Sequence, residues 1–255
     1  MITFNKKALD ELKKCKENID QEVPKKILNN VWLSSSPKEW FSSFNTRWTI
    51  SNLSDIPLNR IQLLELIHPY RNIGKIDEST LRKLIVSVFA WGGLGRSPSN
   101  GKLAIDTIEA YQDVCSKLLN GMSSIKAYAK FFNLKMSKKM QGIRPAYYTK
   151  LIFFLGDQSG LIMDQWTARS TNLLLNSREI KLESRLVSDD NSQEVYNKYL
   201  AFIAELKNEL NIKTLAQTEE LIFSCPHKNN SVKKRLGEYF HKICSAWRKY
   251  VAENT

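Results

Sequence analysis

Apolar residues return every three to four positions along most of this chain. No stretch alternates with the period of two that a half-buried strand needs. Ten glycines and seven prolines in 255 residues fall well below their ordinary combined share of about 12%. So few chain breakers argue against a sandwich or barrel, which turns often, and predict an all-α fold. The length suits one or two domains and a sizeable core. Apolar residues at 42% and charged residues at 25% are ordinary globular values and exclude global disorder.

Local signals place the elements. Residues 5–20 read as a polar, lysine-rich helix, and the stretch holding Trp32, Trp40 and Trp48 as loop with short helices. Asp77-Glu78-Ser79 opens a helix through Leu84, Ile85, Val88 and Phe89 that stops at Gly92-Gly93. Arg96 to Gly101 reads as a turn cluster, followed by helices over 103–120 and 123–132. A basic connection runs from Lys135 to Arg144, and Pro145 then opens an apolar helix to Leu155. After a loop and the extended run Leu161-Ile162-Met163, Asp164 takes the N-cap position of a helix to Asn176. Residues 180–192 read as polar connection. Val195, Tyr196, Tyr199, Phe202, Ile203, Leu206 and Leu210 form a helical stripe, and a basic helix covers about 231–252.

Charge narrows the partner. The formal net charge is +12, an excess that suits a polyanion, most commonly nucleic acid. It is uneven: between Asp113 and Asp157 there is no acid, while Lys117, Lys126, Lys130, Lys135, Lys138, Lys139, Arg144 and Lys150 fall there. A solvated face usually mixes signs, so this stretch predicts a phosphate-binding surface. No run of 18 apolar residues predicts a membrane span, and the lysine-rich start has no apolar signal core. The dispersed Cys15, Cys115, Cys225 and Cys244 fit free thiols in a reducing cytosol.

Within the acid-free stretch, Gly142 turns the chain and a helix begins at Pro145. The amides at such a start, aided by the helix dipole, hold phosphate; Arg144 and Lys150 add charge. The dipole at the next helix start favours ionised Asp164, a carboxylate able to stabilise cationic character on a sugar or to activate a nucleophile. An ordinary helix cap is the alternative role for Asp164.

The segment Gly142-Ile-Arg-Pro-Ala-Tyr-Tyr-Thr-Lys150 with Leu-Ile-Met-Asp164-Gln-Trp-Thr-Ala-Arg169 resembles the helix-hairpin-helix DNA glycosylase superfamily. More narrowly, it is similar to bacterial proteins with the 8-oxoguanine DNA glycosylase fold, closely over residues 140–174. Gly142 matches the first hairpin glycine, Asp164 the family aspartate, and Arg169 the arginine five residues beyond it. The second hairpin glycine is Arg144 here, and the position of the lysine nucleophile in bifunctional members is Ala146. Lys150 lies one turn further on the same row, as a displaced nucleophile or a surface lysine.

The resemblance implies a two-lobed, all-α fold in one glycosylase-like unit spanning 1–255. A central lobe covers 57–176, its hairpin lies at about 136–155, and 1–56 with 177–255 form the second lobe. The hairpin and Asp164 are expected at the cleft between lobes. It implies a DNA glycosylase acting on damaged or modified bases in double-stranded DNA, in the bacterial cytoplasm near the nucleoid, without a cofactor. Asp164 is the expected catalytic carboxylate and Lys150 the amine if the strand is also nicked. Gly142, Ile143, Arg144, Lys138, Lys139 and Arg169 are the expected DNA contacts. Trp166 and Trp91 are candidates for a flipped base's pocket, with core packing their ordinary alternative. An inactive DNA-binding module on the same scaffold, serving repair or phage defence, is the rival.

Other motifs fail on count. Gly95 to Lys102 resembles a phosphate loop but has five residues between its glycines, and Leu103 stands where magnesium needs Ser or Thr. Cys225, His227, His241 and Cys244 are zinc-type ligands at an unusual spacing. No closely spaced cysteines suggest an iron–sulfur cluster, and no nucleophile elbow supports Ser/His/Asp hydrolysis.

Overall fold

The computed structural model describes residues 2–22, 34–94, 98–223 and 246–255. Their helices, in chain order, are α1 (Lys6–Glu22), α2 (Pro37–Ser42), α3 (Arg60–Ile67), α4 (Glu78–Gly92), α5 (Pro98–Asp106), α6 (Glu109–Leu119), α7 (Ser124–Met136), α8 (Pro145–Leu155), α9 (Gln165–Leu175), α10 (Gln193–Glu209) and α11 (Leu215–Phe223). Residues 246–254 are also helical. A 3-10 turn (His68–Tyr70) follows α3, and one antiparallel hairpin pairs β1 (Leu182–Glu183) with β2 (Leu186–Val187). The fold is thus all-α, as expected. No helix among the described residues is long and apolar enough to cross a membrane.

Contacts divide the chain into two units, Trp32–Ile162 and Met1–Val31 with Met163–Thr255. In the first, α4 is the central element. Asp77 caps it by accepting from the Thr80 amide at 2.9 Å, and Gly93 ends it at φ +66°. A chain of rings, Phe89, Tyr111, Phe131 and Tyr148, fills the interior; the last two stack at 5.5 Å. Tyr111, fully buried, donates its hydroxyl to the Ala104 carbonyl at 2.7 Å. Fully burying each such ring stabilises the unit by roughly 1.5–3 kcal/mol.

Three elements differ from expectation. The helix expected over 103–120 is two, α5 and α6, separated by a turn at residues 107–108. α5 starts at Pro98, inside the expected turn cluster, because proline suits a first helical turn. α3, which periodicity misses, carries a capping box between Asn59 and Gln62.

In the second unit, α9 packs on α1 and α11. Asn5 donates its amide to the Leu174 carbonyl at 2.7 Å, and Ser170 its hydroxyl to the Ile222 carbonyl at 2.8 Å. Trp247 donates its indole N–H to Ser170 at 3.1 Å. These bonds hold α9 among elements from both ends of the chain, which places it in this unit. Tyr196, Tyr199, Phe202, Ile203 and Leu206 are the buried stripe of α10. The zinc-type residues Cys225, His227, His241 and Cys244, and the expected helix up to residue 245, lie outside the described residues. Cys15 and Cys115 are free, buried thiols; burial pushes the Cys15 thiol up to about 11.

Candidate active site

The expected site residues occupy both units. In Trp32–Ile162, α7 ends in a turn where Lys138 adopts φ +58° and the amides of Lys139 and Met140 donate to the Leu134 carbonyl at 3.0 and 3.1 Å. Gly142 follows at φ +71°. A Cβ there would land on the Asn100 carbonyl oxygen and lie 2.7 Å from the Ala104 nitrogen. Both its backbone conformation and its approach to α5 therefore demand glycine. Met140 and Ile143 are buried and anchor the turn. Lys138 and Lys139 are exposed and Arg144 half-buried.

Arg144 is the N-cap of α8 in extended conformation, with no side-chain cap, and Pro145 is the first helical residue. Among the described residues, the amides of Gly142, Ile143 and Ala146 have no hydrogen-bond acceptor. The amides of Gly142 and Ala146, on half-buried residues beside three cationic side chains, can hold an anion, while Ile143 is fully buried.

Lys150 is 8% exposed. Its amine donates back one turn to the Ala146 carbonyl at 2.8 Å and lies 5.2 Å from the Tyr147 ring centre. The stem passes across Gly92, where an added Cβ would meet Lys150 Cδ at 2.8 Å. The Tyr147 hydroxyl donates to the Gly93 carbonyl at 3.5 Å. Neighbouring Trp91 is 9% exposed and packs edge-on to Phe154 at 4.7 Å.

In the other unit, Asp164 is the N-cap of α9. Its Oδ1 accepts from the amides of Trp166 at 2.8 Å and Thr167 at 3.1 Å. Thr167 reciprocates, its hydroxyl oxygen accepting the Asp164 amide at 2.9 Å. The second carboxylate oxygen, Oδ2, accepts no hydrogen bond from a described residue. Asp164, Trp166 and Arg169 are all half-buried. The Arg169 guanidinium lies 5.1 Å from the Trp166 ring centre. Burial, then the nearby Arg185 charge, lowers its pKa from the usual arginine range. Tyr199 hydrogen-bonds Thr167 from behind; burial, then the Glu219 charge, pushes its phenol well above the ordinary value.

Gly142, Ile143, Arg144, Lys138, Lys139, Lys150 and Trp91 thus share one unit, and Asp164, Trp166 and Arg169 the other. Sequence reasoning misses Thr167, though a threonine three residues after a capping aspartate is a readable signature. It also misses Gly92, whose need appears only once Lys150 is seen to cross it.

No curated protein and no solved structure matches this chain. Residues 24–223, most of its length, match the model of the family described as "Putative 8-oxoguanine DNA glycosylase OGG-like protein", and the chain belongs to that family.

Proposed function

We propose that this protein is a DNA glycosylase that cleaves the N-glycosidic bond of a damaged or modified base in double-stranded DNA. Family membership supports DNA-glycosylase-like function in general and DNA as the substrate. The observation that carries the specific reading is the Asp164 carboxylate, fixed at Oδ1 by two amides and open at Oδ2 among the described residues. As the C1′–N bond breaks, its electron pair leaves with the base and positive charge develops on the sugar. A preorganised anion stabilises that charge and orients the water that adds to C1′.

The remaining roles follow from chemistry. The amides of Gly142 and Ala146 hold backbone phosphate, with Ile143 anchoring the turn and charge from Arg144, Lys138 and Lys139. Arg169 is a further DNA contact. Trp166 and Trp91, each within its own unit, are the candidate aromatic contacts of an extruded base. If the strand is also nicked, Lys150 is the amine: it leaves the Ala146 carbonyl, sheds a proton and attacks C1′. Such an enzyme works in the bacterial cytoplasm, near the nucleoid. Ala146 at the family's nucleophile position and Arg144 at its second glycine favour a second reading, a binding module without chemistry in repair or phage defence.

The test incubates end-labelled duplexes carrying 8-oxoguanine, uracil, alkylated bases or phage-type modified cytosines with wild type and with Asp164→Asn. Gels are run with and without alkali. Cleavage that needs alkali and disappears in Asp164→Asn supports base excision alone. Cleavage without alkali, with a borohydride-trapped adduct lost in Lys150→Ala, adds strand nicking. Tight binding with no cleavage of any duplex overturns the enzyme reading in favour of the binding module.

A further inference from the structure

The tip of the short hairpin is unusual. A two-residue hairpin turn of type I′ has positive φ at both central positions and normally uses Asn, Asp or Gly there. Here they are Ser184 at φ +46° and Arg185 at φ +75°. Each left-handed non-glycine residue costs about 1 kcal/mol. Such strain persists where surroundings hold it. Gln165 supplies part of the hold: with its amide oriented to satisfy both ends, its nitrogen donates to the Arg185 carbonyl at 2.7 Å and its oxygen accepts from the Trp166 indole at 3.1 Å. One side chain ties the strained tip to the first turn of α9 and fixes the indole.

The fixed indole is a platform for guanidinium groups. Arg248 lies over the Trp166 ring at 4.0 Å and Arg169 at 5.1 Å. Stacking on an aromatic holds a guanidinium by its face, leaving its edge N–H groups able to meet a planar anion. Arg185, exposed at the tip, is close enough that its charge, after burial, lowers the Arg169 pKa. Three like charges from α9, the hairpin and residues 246–254 therefore converge. Among the described residues, no carboxylate forms an ion pair with Arg169 or Arg185. Asp164, at the start of the same helix, commits Oδ1 to its own helix amides. Crowded like charges on a preorganised ring platform suit a multivalent anion.

We propose that Arg169 and Arg185, beside the Trp166 ring that Arg248 covers, form a second phosphate-binding site that grips the backbone of duplex DNA. The site rests on the reading of DNA as substrate and adds to the contacts of the Gly142 hairpin. Its contacts are to phosphate, so it is indifferent to which base is modified.

The test measures duplex binding by fluorescence anisotropy over a salt series for the full chain. It compares wild type, Arg169→Ala/Arg185→Ala, Asp164→Asn, and a control, Lys75→Ala/Lys213→Ala, that removes the same two charges from exposed lysines elsewhere. The slope of log affinity against log salt is expected to shallow by about 0.9 for each arginine removed from a phosphate, equally on modified and unmodified duplex. The control and Asp164→Asn are expected to keep the wild-type slope. A wild-type slope in the arginine variant, with an unchanged melting temperature, overturns the site while leaving Asp164-dependent cleavage standing. Equal shallowing in the lysine control also overturns it, since net charge alone would then explain the effect. Shallowing confined to the arginine variant, in a protein that cleaves no duplex, keeps the site and sinks the glycosylase reading. Failure of wild type to bind any duplex overturns both.

Discussion

α8 and α9 begin in opposite ways. α8 starts from Arg144 and Pro145 with no side-chain cap, and the amides of Gly142, Ile143 and Ala146 are open among the described residues. α9 starts from Asp164, whose own carboxylate takes the amides of Trp166 and Thr167. Every helix start presents unsatisfied donors and a partial positive charge. α9 answers both from within and holds a carboxylate still. α8 leaves them for an anion from outside, in a stretch without acids. The same local physics thus produces a fixed negative group in one unit and an anion cradle in the other.

The harshest way to break the contrast is to fill the turn before α8. Gly142→Ala places a methyl group on the Asn100 carbonyl and forces a left-handed alanine. The expected cost is about 3 kcal/mol, from backbone strain and overpacking together. Thermal unfolding should show a fall of roughly 6–12 °C, and the salt slope of duplex binding should shallow at 20 °C, where the chain remains folded. A melting temperature within 2 °C of wild type would show that α5 yields, and that the cradle is softer than its geometry implies.

At α9 the cap and the charge separate by substitution. Asp164→Ala should lose about 1 kcal/mol of stability, because the two amides lose their acceptor. Asp164→Asn should lose almost none, since asparagine caps as well. Turnover should fall equally in both if the charge does the chemistry. Urea melts together with single-turnover cleavage make the split. If Asp164→Asn keeps full turnover, the carboxylate is a cap and nothing more.

These two starts were also the most legible part of the chain. A positive-φ glycine just before a first-turn proline, and an aspartate at a helix start, are local signals, and local physics decides such positions. The long apolar period marked α4 and α10 for the same reason. The β1–β2 hairpin was not legible: its strands are two residues each, and Ser184-Arg185 carry no turn signal. Part of the reason that tip is tolerated, the bond from Gln165, comes from twenty residues away on α9. The convergence of Arg169, Arg185 and Arg248 on Trp166 is likewise tertiary, and no spacing rule joins residues so far apart. The seat of α9 was hidden as well, because Asn5, Ile222 and Trp247 hold it from opposite ends of the sequence.

A gentler substitution sharpens what α8 contributes beyond phosphate. Gly92→Ala pushes a methyl group against the Lys150 stem, a flexible neighbour. Alanine gains up to about 1 kcal/mol of helix propensity over glycine, offsetting the crowding, so stability should stay within about 1 kcal/mol of wild type. The Lys150 amine should leave the Ala146 carbonyl. If that amine nicks DNA, borohydride trapping will change while alkali-dependent base release does not. Equal effects on both would mean that Gly92 supports the whole site and not the lysine alone.

The smallest change tests the α8 start itself. Arg144→Gly places a glycine where the resemblance to helix-hairpin-helix proteins implies one, and removes one charge. The N-cap backbone is extended, with φ −115° and ψ 172°, so glycine needs no rearrangement there. Glycine is tolerated at an N-cap, so the stability cost should be only a few tenths of a kcal/mol. Two outcomes differ in sign. If the guanidinium contacts phosphate, the salt slope shallows by about 0.9 and affinity falls. If the bulk of Arg144 holds phosphate off the amides of Ile143 and Ala146, affinity rises with the glycine, because bare backbone donors are then approached directly. The first outcome means that this hairpin has exchanged a backbone contact for a charged one. The second means that α8 is guarded by its own N-cap residue, so that both starts have their donors covered by the N-cap side chain, by a cation at α8 and by an anion at α9.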